Sequence, residues 1–164
     1  MAHNTIVMAA DGRWALNIQN GSTGNTVVDN VLYNNHASRG SIDISADSRT
    51  NFTSNFNLVM ERFTTDGGTV LNLAQWKQST GQDQNSVVAL PSALFVSAPS
   101  NDYHLTATSP ARDAGVIRAD VPTDREGIAR PAGPTSDIGA YEFRSTTDST
   151  PPLAPQGFRL LRIQ

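Results

Sequence analysis

The sequence predicts an all-β chain built as a parallel β-helix (solenoid) fragment with a loop-rich C-terminal cap, and three observations predict it. The 164 residues include 44 Asn, Ser and Thr, with 38% hydrophobic and 16% charged residues, a composition that favours turns and strand edges over helices. A strand-like triplet recurs as Leu16-Asn17-Ile18, Ile42-Asp43-Ile44 and Leu71-Asn72-Leu73, at offsets of 26 and 29. A second series, Asn4-Thr5-Ile6-Val7, Asn30-Val31-Leu32-Tyr33 and Asn55-Phe56-Asn57-Leu58, keeps offsets of 26 and 25. Two series on one period are the mark of a repeat architecture. The period suits one β-helix rung of two or three short strands. The dense Leu pattern of a leucine-rich repeat is absent.

The elements follow in order. Residues 1–100 are expected to form the rungs. In the triplets, the outer two residues fill the interior as aliphatic ladders, and Asn17, Asp43 and Asn72 between them face outward, because strand side chains alternate. Asn4, Asn30 and Asn55 occupy a repeated bend, where Asn tolerates left-handed angles and bonds neighbouring backbone. Thr65-Asp66-Gly67-Gly68 reads as an enlarged turn that lengthens the last offset. No capping element precedes the first rung, so its edge is a candidate surface for self-association. Residues 101–143 form the cap: Ser109-Pro110 opens a short turn or helix and Gly115 ends it. Asp113 belongs to the same structural motif, and Asp124, Arg130 and Asp137 are spaced to tie a loop back onto the last rung. Residues 144–154 are a polar, Pro-containing linker. Residues 155–164 are one amphipathic strand with nothing to pair with, the truncated start of a following module, so the chain is expected to be a piece of a larger protein.

From Trp76 onward the chain resembles the C-terminal part of bacterial right-handed parallel β-helix proteins of the pectate-lyase-like superfamily. The residues that carry the resemblance are Trp76 with Gly81-Gln82-Asp83 and Ser86, Phe95-Val96, Asp102-Tyr103-His104-Leu105, and Ser109-Pro110-Ala111-Arg112-Asp113-Ala114-Gly115. Asp124, Gly127, Arg130-Pro131 and Asp137-Ile138-Gly139-Ala140-Tyr141-Glu142-Phe143 complete the set, which spans about 70 of 164 residues. The tail from Pro155 resembles the opening strand of a fibronectin type III-like module. The resemblance implies a secreted or cell-surface multidomain parent, a right-handed coil, and glycans as the ligand class.

Composition excludes several functions. A net charge of −3 gives no basic footprint for nucleic acid. No apolar run reaches the length of a membrane span, and no signal-peptide core is present at the N-terminus. The absence of cysteine removes disulfides and thiolate metal sites. His3, His36 and His104 lack metal-ligand spacing, and there is no Gly-x-Ser-x-Gly elbow and no phosphate-binding motif. Gly21-Ser22-Thr23-Gly24 reads as a turn, and the Asn20-Gly-Ser22 and Asn51-Phe-Thr53 triplets match a glycosylation pattern by letter only.

The glycan-binding candidates are therefore Asp43, Asn17 and Asn72 on the outward column, with Trp14 as an exposed stacking platform; Trp76 reads as core or cap. Asp29 and Asp47 lie near Asp43 in sequence. One carboxylate in a column of amides is a poor acid/base pair. No metal site is assigned and no cofactor is expected; the resemblance leaves Ca2+ as the one candidate, and a column with one carboxylate is a weak site for it, since calcium takes several carboxylate oxygens. The function expected is a noncatalytic scaffold or glycan-binding surface of a carbohydrate-associated protein. The alternatives are the remnant of a polysaccharide lyase or glycoside hydrolase with its catalytic rungs upstream, or a cell-surface adhesion or assembly module.

Overall fold

A computed structural model describes residues 1–145; the expected module at 155–164 and all but the first two residues of the linker lie outside them. The chain begins with eight short strands, β1 (Thr5–Met8), β2 (Leu16–Ile18), β3 (Thr26–Val28), β4 (Val31–Asn34), β5 (Ile42–Ile44), β6 (Thr53–Asn55), β7 (Leu58–Val59) and β8 (Phe63–Thr64). Helix α1 (Leu73–Thr80), β9 (Val87–Val88), the single turn α2 (Pro91–Leu94), β10 (Phe95–Ser97) and β11 (Asp102–Leu105) follow. The fold is all-β, with mostly parallel sheets. Sheets β1-β4-β7-β9, β2-β5-β8 and β3-β6 are parallel throughout, and β10 and β11 pair antiparallel.

Each parallel pairing joins a strand to its equivalent one repeat later. In the largest sheet Thr5 pairs with Val31, Val31 with Leu58 and Leu58 with Val87, in steps of 26, 27 and 29 that the side-chain bonds of the adjoining bend repeat. Leu16, Asn17 and Ile18 pair with Ile42, Asp43 and Ile44, in the register the triplets predict. Parallel pairing demands a long connection between partners, which the intervening strands of the other two sheets supply.

The third triplet is a correction. Ile42 and Asp43 pair onward with Phe63 and Thr64, not with Leu71 and Asn72. Leu71 folds back antiparallel on Phe63, with bonds of 2.8 and 2.9 Å. Asn72 caps α1: its Oδ1 accepts the Gln75 N–H at 2.8 Å while Gln75 Oε1 accepts the Asn72 N–H at 2.9 Å, a reciprocal capping box. Gly81 ends the helix at φ 72°, where the absence of a Cβ removes the left-handed penalty. The apolar triplet was a helix entry, and its Asn-x-x-Gln spacing carried that signal.

The Asn ladder needs a second correction. Its members are Asn4, Asn30 and Asn57; Asn55 pairs with Val28, two residues out of step. Asn4 N bonds Asn30 Oδ1 at 3.0 Å, Asn30 N bonds Asn57 Oδ1 at 2.9 Å, and Asn57 N bonds Ser86 Oγ at 2.8 Å. The left-handed bend falls one residue before the ladder, at His3, Asp29 and Phe56, with φ of 52°, 56° and 53°.

Two apolar clusters lie on opposite faces of the β1-β4-β7-β9 sheet. Leu32 and Val59 face inward with Ile42, Ile44, Phe63 and Trp76. Trp76 stacks on Phe63 at 4.9 Å and donates its indole N–H to Asp83 at 2.8 Å. Val31 and Leu58 face outward, against Leu94, Phe95, Leu105 and Ile138. The outer face is apolar and needs cover, and residues 94–143 provide it from the side. Residues 101–143 accordingly bond to the first two repeats and not to the last as expected: Ala140 N reaches Thr5 Oγ1 at 3.0 Å and Gly139 N reaches the Asp29 carbonyl at 2.9 Å. No helix among the described residues is long and apolar enough to cross a membrane.

Candidate binding groove

The same alternation that sends Val31 and Leu58 outward also sends Tyr33 outward from β4, beside Val7 of β1. Tyr103 of β11 meets it from the covering segment. Its ring packs edge-on against Phe95, with centroids 5.3 Å apart and planes at 87°, and its hydroxyl donates to Asn101 Oδ1 at 3.3 Å. Between the two tyrosines lies a cleft of about 520 Å³, walled also by Val7, Asn35, Leu90 and Asn101. None of its lining residues is charged.

Two more clefts adjoin it. One of about 510 Å³ shares Tyr103 and is bounded by Tyr141, Arg125, His3 and Arg130. The other, of about 420 Å³, shares Tyr33, Asn35 and Leu90 and reaches Glu61 and Arg62. Arg125 donates to the Tyr141 hydroxyl at 2.7 Å, and the His104 ring lies 4.5 Å from the Tyr141 ring. His104 is held between Asp102 at 2.6 Å and Glu126 at 3.1 Å. The Asp102 bond in particular raises its pKa, because a carboxylate acceptor favours the charged imidazolium.

The candidates read from sequence do not gather in this groove. Asn17 is exposed on β2, and Asp43 sits in register beside it on β5. Asp43 is only 5% exposed, however, and its Oδ1 has no partner. Burial pushes its carboxyl above the usual range, with the Gln19 side chain and Arg13 pulling back and Asp66 adding to the rise. The third member of that column is buried Thr64, so the expected run through Asn72 does not form. Trp14 is buried, 8% exposed, rather than an exposed platform. Asp29 is buried and Asp47 exposed, and neither is a pairing partner of Asp43.

The charged motif residues form one network in the covering segment. Arg130 bonds Glu142 at 2.6 Å, the Asp137 carbonyl at 3.0 Å and the Gly139 carbonyl at 2.8 Å. Asp137 accepts from Asp113 N at 2.6 Å and Phe143 N at 2.5 Å; burial nonetheless pushes its pKa up. Asp124 accepts from Glu126 N and Ile128 N at 2.8 Å each, and from Glu142 N at 3.0 Å. Asp113 Oδ1 accepts Thr135 N at 3.4 Å. Each carboxylate ties down main-chain donors, which is what shapes the segment's loops.

Tyr33, Tyr103, Tyr141 and the His3–Asp29 contact escape a reading of sequence spacing. For Tyr33 the signal was present: it stands two residues after Val31, on the same face of the strand. Among the described residues no group of three or more His, Asp or Glu is placed to hold a metal ion. A scan against protein-family models finds no match for the chain, and a search of the curated proteins finds no relative at significant similarity.

Proposed function

We propose that the described residues are a right-handed parallel β-helix fragment of the pectate-lyase-like kind, and that it serves as a noncatalytic, glycan-binding scaffold in a larger secreted or cell-surface protein. Support for the architecture is the recurrence of one strand order through three parallel sheets at a nearly constant step. The observation that carries the function is the uncharged cleft between Tyr33 and Tyr103. Sugar rings present apolar C–H faces that stack on aromatic side chains, while their hydroxyls bond amides such as Asn35 and Asn101. With no charge in the central cleft, the ligand it suits is a neutral oligosaccharide. Asp124 and Arg130, the buried charges beside it, are committed to main-chain groups and to Glu142, which favours a binding role over acid/base chemistry.

Calorimetry with neutral and uronate-containing oligosaccharides tests the reading. Neutral chains are expected to bind, Tyr33→Ala and Tyr103→Ala each to weaken binding about tenfold, on the scale of one aromatic stacking contact, and Asp43→Ala to leave it unchanged. Binding of neither class, or turnover abolished by Asp43→Ala, overturns it. Self-association through β1, which pairs on one side only among the described strands, is the proposed partner reading; a concentration-independent monomer in light scattering removes it.

A further inference from the structure

His3 and Asp29 are equivalent residues of successive repeats, both at the left-handed bend. The register that pairs Ala2 with Val28 and Val28 with Asn55 stacks His3, Asp29 and Phe56 in one column. The His3 and Asp29 side chains are therefore neighbours, and they are 1% and 0% exposed. His3 Nδ1 lies 3.1 Å from the Asp137 carbonyl oxygen. A carbonyl only accepts, so Nδ1 carries the hydrogen. The other nitrogen of the neutral ring then lies 3.5 Å from Asp29 Oδ2, and neither of these buried atoms has a hydrogen-bond partner. Asp29 Oδ1 meanwhile accepts Val116 N at 3.0 Å. Two facing acceptors in a buried space repel unless a proton stands between them.

We propose that His3 and Asp29 hold a single proton as a neutral pair, with Asp29 Oδ2–H donating to His3 Nε2, and that this buried bond locks the covering segment onto the first two repeats. The segment meets the pair through Val116, Asp137 and Gly139, the last donating to the Asp29 carbonyl. The inference goes beyond the groove reading, because it concerns the junction itself; His3 also walls one of the clefts.

The surroundings favour neutral forms. Arg118 and Arg130 are the cations that face the pair, Asp120 lies beyond Arg118, and the Asp137 carboxylate is occupied by backbone amides. Burial, then Arg130, pushes the His3 imidazole down to about 4, against the backbone of Asp137 and of Val116, which favours the charged ring. Burial pushes the Asp29 carboxyl up to about 6, against the Val116 amide and both arginines. Between those values the folded pair holds its proton on Asp29. An unfolded chain in the same range holds one proton on His3, whose ordinary pKa is about 6.5. Folding moves the proton without changing the count, so the pair makes stability nearly independent of pH over that window.

NMR of the isotope-labelled full chain at pH 5 locates the proton. The expected result is one protonated and one bare ring nitrogen for His3, with the Asp29 carboxyl carbon in its acid form. An imidazolium or an ionised Asp29 carboxylate at that pH overturns the proposal. Thermal unfolding adds a second readout. Asp29→Asn supplies an N–H to the same nitrogen and an oxygen to Val116, and is expected to melt with wild type at pH 5, while Asp29→Ala melts lower. At pH 7.5, where the native carboxylate is ionised, Asp29→Asn melts above wild type. An Asp29→Asn variant that melts as low as Asp29→Ala at pH 5, or fails to fold, overturns the lock.

Discussion

Asn30 receives from Asn4, one repeat earlier, both the backbone N–H at 3.0 Å and the side-chain Nδ2 at 2.9 Å, and gives the same pair of bonds to Asn57 at 2.9 and 3.1 Å. Asn57 goes further, donating to the Val27 carbonyl, Ser54 Oγ and Asp83 Oδ1. Asn30 and Asn57 are fully buried, whereas Asn4 is exposed. Asn57→Ala therefore strands several buried polar groups and is expected to cost at least about 2 kcal/mol, since each orphaned group costs on the order of 1–3 kcal/mol. Asn4→Ala costs far less, because water reaches the groups it leaves. Urea midpoints of the two variants, read at equal m-value, check the ordering.

Arg130 and Glu142 form a pair whose side chains are 1% and 0% exposed. Removing one partner leaves the other as an uncompensated buried charge, and Arg130→Met is expected to cost about 3–5 kcal/mol. Replacing both, as Arg130→Met with Glu142→Leu, still strands the Asp137 and Gly139 carbonyls and the Asp137 and Ala132 amides. The double variant is thus not expected to recover wild-type stability in chemical unfolding.

Asp43 titrates in the opposite sense from a salt-bridged carboxylate. Its folded pKa is raised, chiefly by burial, so the folded chain holds that proton more tightly than the unfolded one. The group then favours the fold at low pH, and this contribution is lost as pH rises from about 4 through the folded value. Asp43→Asn removes the loss. Its unfolding midpoint is expected above wild type at pH 7, with the gap closing toward pH 4 as thermal melts are repeated in acid.

Gly40 is required by a close approach. A Cβ there would lie 2.3 Å from the Arg62 carbonyl oxygen and equally close to the Arg62 Cβ. Those backbones are held together by the Ser41 N–H bond to the Arg62 carbonyl at 2.9 Å. Gly40→Ala is expected to cost about 1–3 kcal/mol, the range for overpacking a fixed site. Denaturant unfolding with an unchanged midpoint would remove the packing argument.

The register of β2 on β5 and of β1 on β4 was legible because Leu16/Ile42 and Thr5/Val31 repeat at one common spacing with matching strand character. The third repeat was not. Asn55-Phe56-Asn57 offers two asparagines two residues apart, and both leave the apolar face unchanged, so periodicity cannot choose between them. The left-handed Phe56 decides it. Leu71-Asn72-Leu73 imitates a strand triplet by letter, while the Gln75 side chain three residues later converts it into a helix start. The candidate site failed for a related reason: alternation marks which side chains point outward, but not which outward faces another segment then buries. Asp43 alternates outward yet is only 5% exposed; Tyr33 points out and becomes the wall of a groove.

By itself the sequence determined the strand-rich character, the repeat length and the pairing of the first two repeats, because those follow from local alternation and from spacing along the chain. Only the tertiary structure decided that residues 94–143 lie against the side of the repeats, that His3 meets Asp29 and Asp137, and that Tyr33 meets Tyr103 across a cleft. His3 and Asp137 are 134 residues apart, and no local pattern encodes a contact of that range. It arises from the need to cover Val31 and Leu58, and from the shape of the surface that meets them.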